Sequence, residues 1–335
     1  MSTTIRDVAK YAGVGVGTVS RVLNNNPSVS ANTRQRVLSA IEALDYRPNP
    51  IARRLSLRRT LTIAVVAPFF TRPSFVERLR GTEQALAESE YDMILYNVET
   101  TERRDECFES VPRRERTDGL LVIALSPTDE VVNHFLQSGV PTVLIDAHHP
   151  SLSRVVIDDV EGGRLATHHL IELGHRRIGF VGDHFQDLFN SFHCRDRYCG
   201  YQQALQEAGI EIRPDYYRQG DHGQQEARAM AWELLSLSDR PTAVFAASDT
   251  QGMGVLEAAN DLGLSVPEDL SVVGYDDIEV ASFVHLTTVR QPLYDSGMEG
   301  VALLLEVIED PSLSPRRVQL PLELVQRRTT APCPK

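Results

Sequence analysis

The stretch "AGVGVGTVSRVLN", Ala12 to Asn24, carries glycines at positions 13, 15 and 17. Such a run reads either as a loop that cradles a phosphate or as a turn between two helices. A phosphate loop follows a strand and opens a helix. Here the preceding segment is "TTIRDVAKYAG", in which Ile5, Val8, Ala9 and Ala12 recur at the i, i+3, i+4, i+7 spacing of a helical stripe. Thr4 and Asp7 have capping-box spacing at its start, and Gly13 suits the left-handed position that ends a helix. The only two lysines, Lys10 and Lys335, do not follow a glycine, which excludes the lysine-bearing phosphate loop. The glycines therefore sit after a helix and form a turn.

A second stripe follows in Val16, Val19, Val22 and Leu23, with Gly17, Thr18, Ser20, Arg21 and Asn24 on the polar face. Two short helices across a tight glycine turn make a helix-turn-helix. The polar face offers small side chains, an arginine and an asparagine, the types that enter a major groove and reach base edges. Ser30 can cap a third helix, and Val37, Leu38, Ile41 and Leu44 are expected to close the small core. In "YRPNPIARRLSLRRT", Asn49 before Pro50 reads as N-cap and first helical position. A short helix from Pro50 to about Leu57 would carry Arg53, Arg54 and Leu55, an apolar residue flanked by arginine that suits a minor-groove wedge. The plain alternative is a solvated charged linker.

Charge supports a nucleic-acid partner for this part alone. The 335-residue chain has net charge −12, yet residues 1–60 hold ten basic and three acidic residues, a balance of +7 that leaves −19 for the rest. A basic head on an acidic body is the asymmetry of a separate polyanion-binding module.

The run "TIRDVAKYAGVGVGTVSRVLNNNPSVSANTRQRVLSAIEALDYRPNPIARRL" resembles the headpiece of the LacI/GalR family of bacterial transcription repressors. The resemblance implies that the second helix lies in the major groove and that paired hinge helices of a dimer insert Leu55 into the minor groove. The DNA-facing set it implies is Arg6, Gly15, Val16, Gly17, Thr18, Ser20, Arg21, Asn24, Tyr46, Asn49, Ala52, Arg53 and Leu55. Family members usually carry Ser where Gly15 stands and a larger or Ala-type residue where Gly17 stands. Glycine there is expected to cost roughly 1 kcal/mol of helix propensity each and to let the backbone approach DNA, with Val16 able to touch a thymine methyl.

From Leu61 the pattern changes. "LTIAVVA", "DMILYNV", "DGLLVIAL", "PTVLIDA", "RRIGFVG", "TAVFAAS" and "LSVVGYDD" are short apolar runs separated by amphipathic stretches such as "SFVERLRGTEQALAES", "GGRLATHHLIELG" and "TQGMGVLEAANDLG". Apolar runs without polar alternation read as parallel strands covered on both faces, and their alternation with helices gives an α/β class. About 275 residues exceed one comfortable core, so two lobes are expected. Ligands of such folds sit beyond the carboxyl ends of the strands. That singles out Pro68 to Phe75, Ala124 to Pro127, Asp146, Asp183, Ser248 to Thr250 and Asp276.

"LIELGHRRIGFVG", "RYCGYQQAL", "PTAVFAASDTQGMGVLEAANDLGLSVPEDLSVVGYDD" and "LTTVRQP" extend the resemblance to the family's effector-binding core, itself similar to type I periplasmic sugar-binding proteins. It implies two lobes, a cleft and three chain crossings. The organisation expected is a headpiece over 1–46, a hinge over 47–60 and a core over 61–335, with lobes at about 61–159 with 291–320 and 160–290 with 321–335. The cleft would be lined by Ser74, Phe75, Asp146, Arg197, His222, Ser248 and Asp276, with Phe69 a further flat apolar face. Arg197 and Asp276 suit charged hydrogen bonds to hydroxyls or a carboxylate. A sugar or sugar derivative is the first effector expected and a purine the second. The chain lacks the leucine-heptad tail of tetrameric relatives, so a homodimer on a pseudo-palindromic operator is expected.

Rival chemistries find little support. The four cysteines form no C-x-x-C pair and read as reduced thiols. His148, His149, His168, His169, Glu172 and His175 invite a metal reading, but no ligand spacing is recognisable, and surface or dimer-face histidines are expected instead. Adjacent carboxylates at Asp158-Asp159 and Asp276-Asp277 point to opposite sides and make no two-carboxylate clamp. Asp276 is expected to bind a sugar or to act as a cap, and the other three to lie in solvated loops. No G-x-S-x-G occurs. No catalytic residue, metal or cofactor is therefore expected. A solute-binding module without gene control, a sugar-processing enzyme, and control by a phosphorylated carrier protein are the competing functions. With no secretory signal pattern and no membrane-length apolar run, a cytoplasmic location and no membrane partner are expected.

Overall fold

The computed structural model describes residues 3–23, 26–47, 59–185 and 191–334. Asn24, Asn49, Ala52, Arg53 and Leu55 lie outside the described residues, as does the expected hinge helix. The chain divides into two compact units, residues 1–60 and 61–335.

The first unit holds α1 (Ile5–Ala12), α2 (Val16–Leu23) and α3 (Ala31–Ala43). The Thr4 backbone N–H donates to Asp7 at 2.9 Å, completing the capping box, and Gly13 ends α1 at φ 63°. Ser30 accepts from the Thr33 N–H and starts α3. Val8, Ala9, Ala12, Val19, Val22, Val37 and Ala40 form the core, with Ile41 and Leu44 packed against it. Leu38 is not part of it: the residue is 46% exposed. At 100° per residue, Val37, Ala40, Ile41 and Leu44 share one face of α3 and Leu38 falls beside it. Gly15 precedes α2 and its carbonyl accepts from Thr18 and Val19, so it sits at the N-cap. Glycine is well tolerated there, and the expected propensity cost applies to Gly17 alone.

The second unit contains two six-stranded sheets. The first has the order β11-β5-β4-β3-β1-β2, built from β1 (Thr62–Pro68), β2 (Asp92–Val98), β3 (Gly119–Ile123), β4 (Thr142–Ile145), β5 (Ser153–Val156) and β11 (Arg317–Gln319), all parallel. The second has the order β12-β10-β9-β8-β6-β7, built from β6 (Ile178–Asp183), β7 (Tyr217–Gly220), β8 (Ala243–Ala246), β9 (Ser271–Asp276), β10 (Thr287–Arg290) and β12 (Glu323–Val325). Only β12 runs antiparallel to its neighbour. The helices α4 (Pro73–Ala87), α5 (Thr101–Ser110), α6 (Asp129–Ser138) and α12 (Leu293–Glu309) accompany the first sheet. With the second come α7 (Asp159–Glu172), α8 (Ser191–Glu207), α9 (Gln224–Leu235), α10 (Asp249–Asp261) and the short α11 (Glu279–Phe283).

The seven apolar runs became β1, β2, β3, β4, β6, β8 and β9. Central strands such as β1 and β8 are buried along their whole length, whereas β2, an edge strand, alternates. Five strands escaped the sequence reading. "SRVV", "YRQG", "TTVR", "RVQ" and "ELV" are three or four residues long with at most two apolar residues each, and all but the first and third lie on sheet edges. The chain passes between the sheets three times: after β5, between β10 and α12, and between β11 and β12. Both sheets leave their carboxyl ends toward these crossings.

Candidate functional site

The residues that follow the strands are bent into an uncommon backbone. Phe69 after β1, Ala124 after β3 and Asp146 after β4 have φ of 42°, 52° and 54°, and Asp276 at the end of β9 has 113°. Such conformations cost of order 1–3 kcal/mol each outside glycine and persist where the surroundings over-determine them. Of these four, Ala124, Asp146 and Asp276 line a cleft between the lobes.

Each lobe contributes one wall. Arg72, then Ser74, Phe75 and Arg78 of α4, Ala124 and Asp146 come from the first. Asp183, His193, Cys194 and Arg197 of α8, His222, Ala247, Ser248 and Asp276 come from the second, and Gln291 comes from a crossing. Of the residues expected in the cleft, Ser74, Phe75, Asp146, Arg197, His222, Ser248 and Asp276 are brought together. Phe69 is not among the lining residues. The Arg72 guanidinium lies 3.8 Å over its ring, so Arg72 reaches the cavity in its place.

Close helix packing sets the charged groups. The α7 and α8 backbones meet at glycines: a Cβ on Gly163 would stand 2.0 Å from the Arg197 carbonyl oxygen, and one on Gly200 would stand 1.9 Å from that of Val160. This approach places Arg197 Nε 2.7 Å from Asp159 Oδ1, with both side chains buried. Arg197 also donates to the Ala247 carbonyl at 2.6 Å, lies 3.8 Å over the Tyr275 ring and faces Asp276 at 3.7 Å. On the other wall Arg78 pairs with Asp146 and donates to Gln291 at 3.0 Å. His222 lies 3.1 Å from Asp183, which also accepts from Gln251 at 2.7 Å.

Burial alone would push the Asp159 and Asp276 carboxyls up. For Asp276 it wins, raising the group despite Arg197 and Arg78 nearby. For Asp159 burial is opposed by Arg197 and His193, which hold it well below the usual carboxylate range. Burial also pushes the Cys194 thiol up, so it lines the site as an inert hydrogen-bonding group. Asp146, Asp159 and His193 bring metal-ligand atoms within 4.8 Å of one another. Arg78 and Arg197 already occupy those carboxylates, so the group is an ion-pair cluster with two guanidinium groups where a cation would need open lone pairs.

Several expectations about charged residues need correction. Asp159 is not in a solvated loop; it opens α7 and is 7% exposed. Asp277 is equally enclosed, held by Arg327 at 2.6 Å and Arg290 at 2.7 Å. Asp158 is exposed and caps α7. Nor are His149, His169 and His175 surface histidines. All three are buried, on Asp129, Thr330 and the pair Thr242 and Ser271 respectively. Sequence reading gave no weight to Arg78, His193 or Gln291, because none follows an apolar strand run.

In the first unit, Arg6, Gly15, Val16, Gly17 and Arg21 are exposed, Thr18 and Ser20 are half-buried, and Tyr46 packs against the small core. Val16, part of the apolar stripe by spacing, is 42% exposed. A Cβ at Gly15 or Gly17 would meet nothing, so the start of α2 presents bare backbone.

A helix-turn-helix unit joined to a two-lobed α/β unit with a polar cleft defines a ligand-responsive DNA-binding regulator. Residues 4–49 match the model for bacterial regulatory proteins of the lacI family, and residues 167–330 match that for a periplasmic binding protein-like domain. Catabolite control protein A of Priestia megaterium is 34% identical over 334 residues, covering 98% of this chain and all of the relative. Two solved structures are similar over nearly the whole chain. The regulator CelR in complex with cellobiose is 34% identical, with TM-score 0.72 over 98% of this chain and 99% of that one. The Lac repressor dimer bound to operator and the anti-inducer ONPF is 28% identical, with TM-score 0.86 over 99% and 100%. The chain belongs to the LacI family of DNA-binding transcriptional regulators. No helix among the described residues is long and apolar enough to cross a membrane.

Proposed function

We propose that this regulator is a repressor that acts as a homodimer on a pseudo-palindromic operator, and that a sugar or sugar derivative in the cleft sets its operator affinity. The observation that carries the ligand assignment is the cleft lining: carboxylates, guanidinium groups and hydroxyls from both lobes converge around the buried ring of Phe75. Oriented polar groups beside an apolar face suit a ring that carries hydroxyls. Cellobiose on CelR supports the same class.

In this reading Ser74, Asp146, Arg197, His222, Ser248 and Asp276 hold the ligand, and Phe75 stacks on it. Ligand binding changes the angle between the lobes and so the spacing of the two headpieces on the dimer. The coupling is reciprocal: operator must change ligand affinity by the same factor. Arg6, Gly15, Val16, Gly17, Thr18, Ser20, Arg21 and Tyr46 supply the described part of the DNA surface, and Asn24, Asn49, Ala52, Arg53 and Leu55 complete it. The protein binds its ligand without turning it over and works in the cytoplasm beside its DNA.

The deciding experiment is a thermal-shift screen of sugars, sugar phosphates and purines on the full chain, each hit then being assayed for its effect on operator affinity. A sugar that shifts both supports the assignment. Purine hits alone would replace the ligand class. Chemical conversion of a bound sugar would overturn the non-enzymatic reading.

A further inference from the structure

Seven side chains form a closed circuit across the floor of the cleft. Arg78 binds Asp146 and, at 3.0 Å, Gln291. Gln291 donates to Asp276, and Asp276 faces Arg197 at 3.7 Å. Arg197 donates to Asp159 at 2.7 Å, and Asp159 meets His193 Nδ1 at 2.9 Å. His193 closes the circuit 3.7 Å from Asp146. The circuit passes between the lobes twice. One passage runs through Gln291, which carries no titrating group. The other is direct, from His193 on α8 to Asp146 at the end of β4.

With Asp146, Asp159 and Asp276 all ionised, the circuit is neutral only when His193 is charged. Two guanidinium groups face three carboxylates, and an imidazolium at His193 supplies the third positive charge. The groups around His193 are Asp146 and His148 after β4, Asp159 on α7, and Asp196 and Arg197 on its own helix, with Arg78 of α4 behind Asp146. Burial depresses His148, which leaves it the weaker base. Burial opposes charge on His193 as well, but Asp146 and the bond to Asp159 outweigh it and raise His193 above its ordinary 6.5.

We propose that His193 is a proton-operated positioning residue between the lobes: as imidazolium it ties Asp146 to Asp159, and as neutral imidazole it releases Asp146. A histidine raised in the folded state contributes fully below its unfolded value, and the contribution is lost as pH rises through the raised value. The tie is therefore complete below the ordinary 6.5 and is lost as pH rises through the raised value. The proposal concerns the cleft assigned above to an effector, but it stands on contacts between the lobes and needs no ligand.

The test uses the ligand-free full chain. Ring resonances of His193, followed by NMR against pH, should titrate above 6.5, and Asp146→Asn should lower that midpoint. A double-mutant cycle of Asp146→Asn and His193→Gln, read from urea unfolding, should show coupling of at least about threefold in the unfolding constant near pH 5.5 and none near pH 8.5. The Arg78 bond to Asp146 cancels in the cycle because it does not depend on His193. A His193 midpoint at or below 6.5, or equal coupling at both pH values, overturns the proposal. The wild-type titration needs no variant, so a variant that fails to fold leaves the test standing. Coupling without any sugar binding would keep the tie and discard the ligand assignment.

Discussion

Gly163 presses directly on the carbonyl oxygen of Arg197, where a Cβ would stand only 2.0 Å away. That approach brings the Arg197 guanidinium to Asp159 and into the cleft. An alanine in mid-helix normally gains about 1 kcal/mol over glycine. Overpacking against backbone costs typically about 1–3 kcal/mol, and here the obstacle is a main-chain atom that cannot rotate away. Gly163→Ala should therefore lower the urea midpoint and also weaken ligand binding. A higher midpoint would mean that α7 and α8 can move apart without penalty.

Removing Arg197 should be among the most damaging single changes in the cleft. It leaves Asp159 buried without its guanidinium partner, which typically costs about 3–5 kcal/mol. Arg197→Met should reach that range by chemical denaturation. Pairing it with Asp159→Leu should recover much of the loss, since the stranded charge is then gone. Equal losses for the single and double variants would show that Arg197 acts through its stacking on Tyr275 instead.

The headpiece offers a contrast between neighbours. Val37 is wholly buried and Leu38 is 46% exposed. Val37→Ala should cost about 2 kcal/mol of headpiece stability, whereas Leu38→Ala should stay within about 0.5 kcal/mol. Calorimetry on the two variants checks the helix phase.

Operator binding tests the exposed face of α2. Arg21→Ala should weaken binding by about 1–3 kcal/mol if the side chain reads a base edge. The loss should fall mainly on one operator position. A uniform loss over all sequences with a shallower salt slope would move Arg21 to a phosphate. Unchanged affinity would remove α2 from the groove.

His175 should make the protein acid-sensitive. It is fully buried between Thr242, Ser271 and the Ala331 carbonyl, and burial depresses its pKa. A histidine depressed in the folded state must take up a proton on unfolding, so stability is present above its unfolded value near 6.5 and falls as pH drops below it. The urea midpoint should decline from about pH 7 to about pH 5, and His175→Asn should flatten that slope while lowering the midpoint overall. This sign is opposite to that of His193. A slope unchanged in His175→Asn would place the acid sensitivity elsewhere.

Legibility followed local signal. Helix α1 carries its stripe, capping box and closing glycine within ten residues, so its limits could be read directly. Central strands were legible because burial on both faces demands unbroken apolar runs. The strands "YRQG" and "RVQ" were not, because an edge position asks little of side chains and their pairing is set by distant partners. Most cleft residues found in advance stand after strand runs or lie in matching motifs. Arg78 and His193 have neither marker, and Gln291 lies in a matching motif but follows a polar strand. Arg78 lies in an amphipathic helix whose period suggests a surface charge, and only its approach to Asp146 across the fold gives it a role. The enclosed Asp159 and Asp277 were misread for the same reason, since their arginine partners lie 13 to 50 positions away.

The three crossings also set an order of events during synthesis. The first sheet needs α12 and β11, which lie beyond residue 290, and the second needs β12 and the tail that bonds Val272 through Thr329. Neither lobe can finish before nearly all of the 335 residues have left the ribosome. Among the described residues, the core of the three-helix head is complete by Tyr46. At about 5–20 residues per second, translation leaves it exposed for on the order of tens of seconds before its sensor exists. A nascent chain should thus be able to touch DNA before it can respond to any metabolite.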